Sequence, residues 1–197
     1  DLEKDTIITF YPTHSIKLRN DRQMYADFDA GYFETLNRFG TAYSMRLLHH
    51  SVDEKFQIDV NPHRTDMKGW LAHRANDAAA CKIGTTAALL EYLQTTLDKS
   101  NCMMVPFGNA APIMALVTTR AVSKDEELYL SYGPFYWLSG FCNMTELEAK
   151  ALMHQVDPML LFKYDMMLAD HTNYKTGRKL WKILQPFQES GALDVIE

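Results

Sequence analysis

The feature that most constrains the fold of this chain is a change in its sequence pattern near residue 139. Before that point, short runs rich in β-branched and aromatic residues alternate with turn residues, which is typical of strands. These runs lie at residues 6–11, 42–47, 56–60, 113–118 and 127–132. After that point, helix-start signals and helical periodicity predominate. The pattern predicts a mainly β fold over residues 1–137 and helices over residues 138–197.

Helices are predicted on both sides of this boundary. In the β-rich part, leucines at helical spacing predict a helix over residues 86–97. After the boundary, Thr145 and Glu148 form a capping box, and Asp157 precedes a proline at the first position of a second helix. Residues 175–185 show the pattern of a third helix. The C-terminal third of the chain is therefore expected to be helical.

Size, charge and cysteine content exclude several classes of protein. A chain of 197 residues fits one compact domain, or one domain with an appended subdomain. Its net charge of −5 predicts no direct binding to nucleic acid, which needs a basic surface. The chain has no run of about 18 apolar residues, and its first residues are polar, so neither a membrane span nor a signal peptide is expected. Its 3 widely spaced cysteines predict reduced thiols and a nuclear or cytoplasmic location.

Histidines and carboxylates in the first half of the chain raise the question of a metal site. The candidates are His49, His50, His63, His73, Asp59 and Asp66. They show no HxxxH or HExxH spacing, and two adjacent histidines point in different directions on any regular element. The sequence therefore predicts no bound metal.

Three segments, in a fixed order, resemble motifs of a known family. Residues 124–133 (KDEELYLSYG) follow the apolar run IMALVTTRAV, residues 72–79 are AHRANDAA, and residues 7–12 are IITFYP. They resemble the last motif, the asparagine motif and an early tyrosine-ending strand of SET-domain protein methyltransferases. Weaker matches lie at residues 43–47 (YSMRL), residues 56–60 (FQIDV) and Asn101. Each segment alone is an ordinary strand or turn, and their order along the chain indicates the family.

The chain also departs from the family pattern. Asp77 stands where the family has histidine, and Ser131 stands where it usually has aspartate. Leu130 occupies a position that is aromatic in many histone-type members. The Gly-x-Gly strand, which wraps the methionine end of the cofactor in the family, has no counterpart in this sequence and is expected before Asp1.

The resemblance implies a fold and a division of the chain. Residues 1–137 would adopt the β-clip-like, pseudoknotted SET fold, in which the segment of Asn76 and the strand of Tyr132 thread past each other. Residues 28–60, which include a predicted helix, would be the variable insert that shapes the substrate groove. Residues 138–197 would be a helical C-terminal extension that covers one side of the substrate channel.

The resemblance also implies a function and a set of site residues. The expected reaction transfers a methyl group from S-adenosylmethionine to a protein side chain, with lysine on a histone tail or a non-histone protein as the target. The catalytic role falls to Tyr132. Cofactor contacts fall to Asn76, Asp77, His73 and Trp137. The substrate channel falls to Tyr11, Tyr43, Met45, Leu130 and Tyr136.

The chemistry of methyl transfer explains why such residues are needed. Displacement at a sulfonium methyl by a neutral amine requires that nucleophile, methyl group and sulfur be aligned. A free lysine has a pKa of about 10.4, and a desolvated aromatic channel favours its neutral form. In the family, the hydroxyl at the position of Tyr132 orients the amine, and whether it also takes a proton is open. The Asn76 amide is expected to hold the amino-acid end of the cofactor, and the Asp77 backbone its adenine.

Two other functions fit the same sequence. The first is a catalytically inactive SET-like module that binds partner proteins, which Asp77 and the lack of a Gly-x-Gly strand favour. Tyr132, Tyr11 and Asn76 count against that reading, because they are retained. The second is methylation of another residue, such as histidine, on the same scaffold. For Trp137, packing against the C-terminal helices is the alternative to a place in the site.

Overall fold

The computed structural model describes residues 1–18, 23–26, 44–48, 55–62, 68–107 and 113–172. Its strands are β1 Ile7–Phe10, β2 Ser15–Leu18, β3 Gln23–Ala26, β4 Ser44–Leu48, β5 Lys55–Asp59, β6 Asn76–Asp77, β7 Cys102–Phe107, β8 Ile113–Thr118 and β9 Tyr129–Leu130. Its helices are α1 Thr86–Lys99, α2 Pro134–Gly140, α3 Glu146–Met153 and α4 Pro158–Thr172, with a 3-10 turn at Ala72–Arg74. The predicted helices of the 28–60 insert and of residues 175–185 lie outside the described residues.

The described strands form three small sheets. The order β1-β8-β7 makes an antiparallel sheet in which Ile7 and Met103 both lie opposite Val117. The order β3-β2-β5-β4 makes a second antiparallel sheet, with Asp59 opposite both Ser15 and Ser44. The third sheet is the parallel pair of β6 and β9. Strands that are distant in sequence therefore meet, and β6 and β9 are separated by α1, β7 and β8.

Most predicted strands of the described part are present, and one is much shorter than predicted. The run at residues 113–118 forms β8 over its full length, and those at 6–11, 42–47 and 56–60 form β1, β4 and β5 with shifted ends. The run at 127–132 forms only the two-residue strand β9. Before β9, the Asn101 side chain binds the carbonyl of Glu127, and after it the N–H of Tyr132 donates to the Asp77 carboxylate, so these backbone groups do not extend the ladder.

Helix α1 follows from its own sequence. Thr85 caps it by accepting a hydrogen bond from the N–H of Ala88 at 3.3 Å. The buried residues Leu89, Tyr92 and Leu93 recur at intervals of three and four, as one face of a helix requires. The predicted helix over residues 86–97 is confirmed, with two more residues at its C-terminal end.

Two larger hydrophobic clusters, and a smaller one made of Val105, Ala115 and Val117, form the core of the described part. The helical core lies among the four helices and includes Leu89, Leu93, Leu138, Leu152 and Tyr164. The sheet core lies among the strands and includes Tyr11, Ile58, Ala75, Met114, Leu116 and Leu130. Each fully buried leucine contributes about 1.5–3 kcal/mol relative to an exposed one. The β6–β9 pair connects the two larger clusters, since β9 supplies Leu130 to the sheet core while Asp77 is hydrogen-bonded to Tyr92 of the helical core.

The predicted capping box at the start of α3 is present. The hydroxyl of Thr145 accepts from the N–H of Glu148 at 3.3 Å, and the Glu148 carboxylate accepts from the N–H of Thr145 at 2.8 Å. These bonds satisfy two backbone donors that a helix start leaves without intrahelical partners.

We expect Thr145→Ala to lower the free energy of unfolding by about 1 kcal/mol, the usual cost of losing such a cap. Urea denaturation followed by circular dichroism measures it. Thr95→Ala is the matched control, because Thr95 lies inside α1 and alanine is favoured there. Equal unfolding midpoints for the Thr145 variant and wild type would show that the box does not stabilise the protein.

Candidate active site

The two segments that carry the main sequence motifs are adjacent in the structure. β6 and β9 pair in parallel, with Asn76 opposite Tyr129 and Asp77 opposite Leu130. The N–H of Ala78 continues the pairing by donating to the carbonyl of Leu130 at 2.9 Å. This pairing brings the Asn76 segment against the segment that leads into Tyr132.

The side chain of Asn101 fixes the turn that precedes β9. Asn101 is fully buried, and its amide oxygen accepts from the N–H of Tyr129 at 2.8 Å. Its amide nitrogen donates to the carbonyl of Glu127 at 2.8 Å and to the carboxylate of Glu126 at 3.1 Å. The carbonyl of Tyr129 accepts from the N–H of Asn101 at 3.0 Å. The buried Asn101 amide therefore holds Glu126, Glu127 and Tyr129 in place beside the motif pair.

Tyr132 follows β9 and reaches back to the segment before β6. Its hydroxyl donates to the carbonyl of Ala75 at 2.8 Å. Its ring meets that of Tyr136 edge to face, with centroids 4.9 Å apart, and the residue is 37% exposed. The hydroxyl is thus anchored one residue before Asn76 while part of the ring faces solvent.

Four aromatic residues form a continuous group beside this hydroxyl, which we call the aromatic cluster: Tyr132, Tyr136, Trp137 and Phe141. Tyr136 lies 5.3 Å from Trp137 and 5.9 Å from Phe141 between ring centroids, and the Trp137–Phe141 distance is 4.7 Å. Trp137 is 9% exposed and packs in the helical core, whereas Phe141 is 52% exposed. The cluster therefore runs from the buried core to the surface.

The carboxylate of Asp77 is a centre of hydrogen bonding. The same oxygen, Oδ2, accepts from the Trp137 indole at 2.7 Å, the Tyr92 hydroxyl at 3.0 Å and the N–H of Tyr132 at 3.1 Å. The other oxygen accepts from the N–H of Ala79 at 3.5 Å. Burial raises the pKa of Asp77, and these hydrogen bonds act in the opposite direction by favouring the charged form.

Further hydroxyls extend these contacts into the helices. The Tyr92 hydroxyl lies 3.2 Å from the Ser131 hydroxyl, which lies 2.7 Å from the Tyr164 hydroxyl of α4. The N–H of Gly133 donates to Tyr92 at 3.1 Å, and its φ of 91° is a conformation that favours glycine. Burial raises the pKa of Tyr164 to about 12 and raises that of Tyr92 further still, so both are neutral phenols.

Asn76 lies on the exposed side of the same pair. Its amide donates to the Glu127 carboxylate at 2.7 Å, and the Tyr129 hydroxyl donates to the other oxygen of that carboxylate, also at 2.7 Å. The hydrogen bond from Asn76, followed by that from Tyr129, lowers the pKa of Glu127. An exposed amide and an ionised carboxylate therefore lie side by side at the edge of the motif pair.

His73, Tyr11 and Leu130 lie on the sheet-core side of the site. Burial, with a smaller contribution from the neighbouring Arg74 charge, lowers the pKa of His73 to about 4, so the imidazole is neutral at pH 7. Its ring meets that of Tyr11 edge to face, with centroids 6.4 Å apart. Tyr11 and Leu130 are both buried in the sheet core with Ala75, whose carbonyl binds Tyr132.

Two predicted channel residues cannot be compared with this site. Tyr43 lies outside the described residues. Met45 is in β4 opposite Ile58, a residue of the sheet core, and only its backbone is described. Their assignment to the channel stays a prediction.

The structure adds three polar residues that the sequence did not place in the site: Tyr92, Tyr164 and Glu127. It also shows that Asn101, which the sequence offered only as a weak motif match, binds the turn before β9. Tyr92 lies on the buried face of α1, where spacing predicted only packing. Its hydroxyl meets Asp77 because the chain folds back over 15 residues, and no local pattern indicates that contact. The glutamate of the Glu-Glu-Leu turn was part of the motif, but its partner Asn76 lies 51 residues away.

Neither a metal cluster nor a membrane helix occurs in the part of the chain that the structure describes. In those residues, no three histidine, cysteine, aspartate or glutamate side chains are grouped so that they could hold a metal ion. None of the described helices combines the length and the apolar character needed to cross a membrane.

Comparison with protein-family models, with curated proteins and with solved structures finds no match to this chain. The functional assignment therefore rests on the contacts of the β6–β9 pair and the residues around it.

Proposed function

We propose that this protein is an S-adenosylmethionine-dependent methyltransferase that acts on a protein side chain, with lysine as the target residue. The SET-type domain would occupy residues 1–137 and the helical extension residues 138–197. One observation carries the proposal: the two segments that resemble the family's asparagine and tyrosine motifs pair side by side, with the Tyr132 hydroxyl on the Ala75 carbonyl. The motif residues therefore have the proximity that a shared site needs.

The hydrogen bond of Tyr132 supports an orienting role for its hydroxyl. Because its hydrogen is donated to the Ala75 carbonyl, the phenol would meet the N–H groups of a substrate amine through its oxygen, as an acceptor. A neutral amine held in this way keeps its own lone pair for attack on carbon. Alignment of this kind lowers the barrier without proton transfer to the phenol.

The polar and aromatic residues near Asn76 can bind the charged groups of the cofactor. S-adenosylmethionine, when bound, supplies an electrophilic methyl group on a sulfonium, next to an amino-acid end that carries both charges. The exposed Asn76 amide and the ionised Glu127 carboxylate offer a donor and acceptors for that end. The half-exposed aromatic cluster offers π-faces, which attract cations such as a sulfonium.

The other assigned cofactor residues contribute in narrower ways. The Asp77 side chain is surrounded by internal donors, so only its backbone is proposed to face the cofactor. Trp137 is largely buried and donates its indole N–H to Asp77, which limits it to an edge contact. His73 is proposed as a neutral wall of the site, because burial keeps its pKa at about 4.

A buried aromatic wall would favour the reactive form of a lysine substrate. Tyr11, Leu130 and Tyr136 are proposed to line the channel with Tyr43 and Met45. Tyr11 and Leu130 lie in the apolar sheet core. Desolvation there disfavours the ammonium form and lowers the lysine pKa towards neutrality.

A second candidate function is a catalytically inactive SET-like module that binds partner proteins. The observation that favours it is the internal bonding of two site groups: the Asn76 amide to Glu127 and the Asp77 carboxylate to three donors. Such bonds would also stabilise a scaffold that binds no cofactor. The two functions differ in whether the protein binds S-adenosylmethionine.

Calorimetric titration with S-adenosylmethionine and with its demethylated product tests the proposal. We expect the intact protein to bind both, and Asn76→Ala to weaken binding by about 1–3 kcal/mol, because a charged group of the ligand then lacks its partner. Gln155→Ala is the matched control, since this exposed amide is likewise hydrogen-bonded to another side chain, by accepting from the Thr86 hydroxyl, away from the motif pair.

Absence of binding to the wild-type protein would contradict the enzyme and favour the binding module. Equal weakening by Asn76→Ala and by Gln155→Ala would show that Asn76 has no particular place in a cofactor site.

A further inference from the structure

The carboxylate of Asp77 joins three separate parts of the chain at one oxygen. Oδ2 accepts from Tyr92 of α1, from Trp137 of α2 and from the backbone N–H of Tyr132. In sequence these donors lie 15, 60 and 55 residues from Asp77. No loop geometry or local turn produces such convergence, so it is a feature of the tertiary fold.

Tyr132 is attached to residues 75–77 at two points. Its backbone N–H donates to the Asp77 carboxylate at 3.1 Å, and its side-chain hydroxyl donates to the Ala75 carbonyl at 2.8 Å. The two attachments lie at opposite ends of the residue, one on the main chain and one at the tip of the ring. Together they fix both the position of the backbone and the direction of the hydroxyl.

The groups around the Asp77 carboxylate are neutral donors. Its four described hydrogen-bond donors are two backbone N–H groups, an indole and a phenol. The titratable groups that face it from the packed elements are Tyr92 on α1 and, through Ser131, Tyr164 on α4, with Asp165 next to the latter. Among the described residues, no cation is hydrogen-bonded to Asp77. Three of these donors meet at Oδ2, and their hydrogen bonds are stronger to an ionised carboxylate than to a neutral carboxyl.

We propose that Asp77 is a positioning residue that holds Tyr132 on Ala75 through the Tyr132 N–H and links this attachment to α1 and α2. The consequence for turnover rests on the proposed methyl transfer, whereas the positioning itself does not. Protonation of Asp77 weakens its carboxyl as an acceptor for the Tyr132 N–H, because the hydrogen bond is then no longer made to an ionised group. As the pH falls through the raised pKa of Asp77, the backbone attachment of Tyr132 weakens, and its hydroxyl is held less firmly in the aligned position.

Nuclear magnetic resonance tests the positioning without any need for activity. In wild-type protein, the indole N–H signal of Trp137, assigned with Trp137→Phe, and the amide signal of Tyr132 should titrate together at one pH. That pH should lie above the ordinary aspartate value of about 3.9. Asp77→Asn should abolish both transitions, and Asp98→Asn, which changes an exposed residue of α1, should leave them unchanged. A Tyr132 amide that does not titrate with Trp137 in wild-type protein would overturn the proposal, even if the variant failed to fold.

Kinetics test the consequence for the reaction. Asp77→Asn should lower kcat by about 100-fold, the cost of a small misplacement of an aligned group, with the cofactor Kd changed less than threefold. The acid limb of the wild-type kcat profile that follows the Trp137 signal should be missing in the variant. A Kd that rises in parallel with the loss of kcat would make Asp77 a residue of general structural importance and would contradict the positioning role. If wild type shows the coupled titration but no methyl transfer, the proposed function fails while Asp77 still positions Tyr132.

Discussion

Tyr132→Phe should lower methyl transfer by about 100-fold to 10,000-fold, while the protein stays folded and still binds S-adenosylmethionine. The variant removes one hydroxyl and little volume, so stability should fall by only about 0.5–1.5 kcal/mol for the lost bond to Ala75. Turnover should fall far more, because the hydroxyl that orients the amine is absent. Cofactor binding should persist, since Asn76 and its surroundings are unchanged. Turnover, thermal unfolding and calorimetry measure the three effects.

Tyr129→Phe is the matched control for this experiment. Tyr129 lies three residues earlier and also donates its hydroxyl to one acceptor, the Glu127 carboxylate. If the effect is specific to Tyr132, the Tyr129 variant should keep turnover within a few-fold of wild type. Wild-type turnover in Tyr132→Phe would show that Tyr132 is a packing residue and that its motif match is a coincidence. Unfolding of the variant would show that its role is structural.

The second large effect concerns stability. Asn101→Ala should lower the free energy of unfolding by about 2–4 kcal/mol, because the N–H of Tyr129 and the carbonyl of Glu127 lose a fully buried partner. Urea denaturation measures it. Gln94→Ala, which removes an exposed amide on α1, should change stability by less than about 0.5 kcal/mol.

The same variant also tests whether the turn supports the site. Loss of the Asn101 bonds should loosen β9 and so weaken its pairing with β6. Cofactor affinity should therefore fall in Asn101→Ala although Asn101 contacts no proposed ligand group. A variant as stable as wild type would mean that water or a shifted backbone replaces the amide, and that β9 does not depend on it.

Local sequence signals predicted the elements whose stability is itself local. The capping box of Thr145 and the helical periodicity of Leu89 and Leu93 involve residues within one or two turns, and α3 and α1 form as predicted. The strand predicted over residues 127–132 is longer than β9, because the apolar alternation of these residues does not reveal which side chains bind their backbone. Side chains from elsewhere in the chain bind the backbone on both sides of β9: Asn101 binds the carbonyl of Glu127, and Asp77 accepts from the N–H of Tyr132.

The candidate site could be predicted only in outline. Motif resemblance predicted that Asn76 and Tyr132 belong together, and the β6–β9 pair is the contact that supports this. Asp77 was expected to act through its backbone, which stays a prediction, and the contacts of its side chain with Tyr92, Trp137 and the backbone of Tyr132 were not foreseen. Such bonds depend on how distant segments meet, and neither spacing nor composition carries that information. The burial of Trp137 in the helical core supports the alternative in which this residue packs against the C-terminal helices.

The measurement that most directly tests the central claim is methyl transfer itself. The intact protein is incubated with S-adenosylmethionine carrying an isotopically labelled methyl group and with a set of cell proteins and peptides, including histone tails. We expect label on lysine side chains, identified by mass spectrometry, with the label lost in Tyr132→Phe and retained in Tyr129→Phe. Label on histidine would keep the methyltransferase and contradict the lysine target. Absence of label on any protein, together with absence of cofactor binding, would contradict the account.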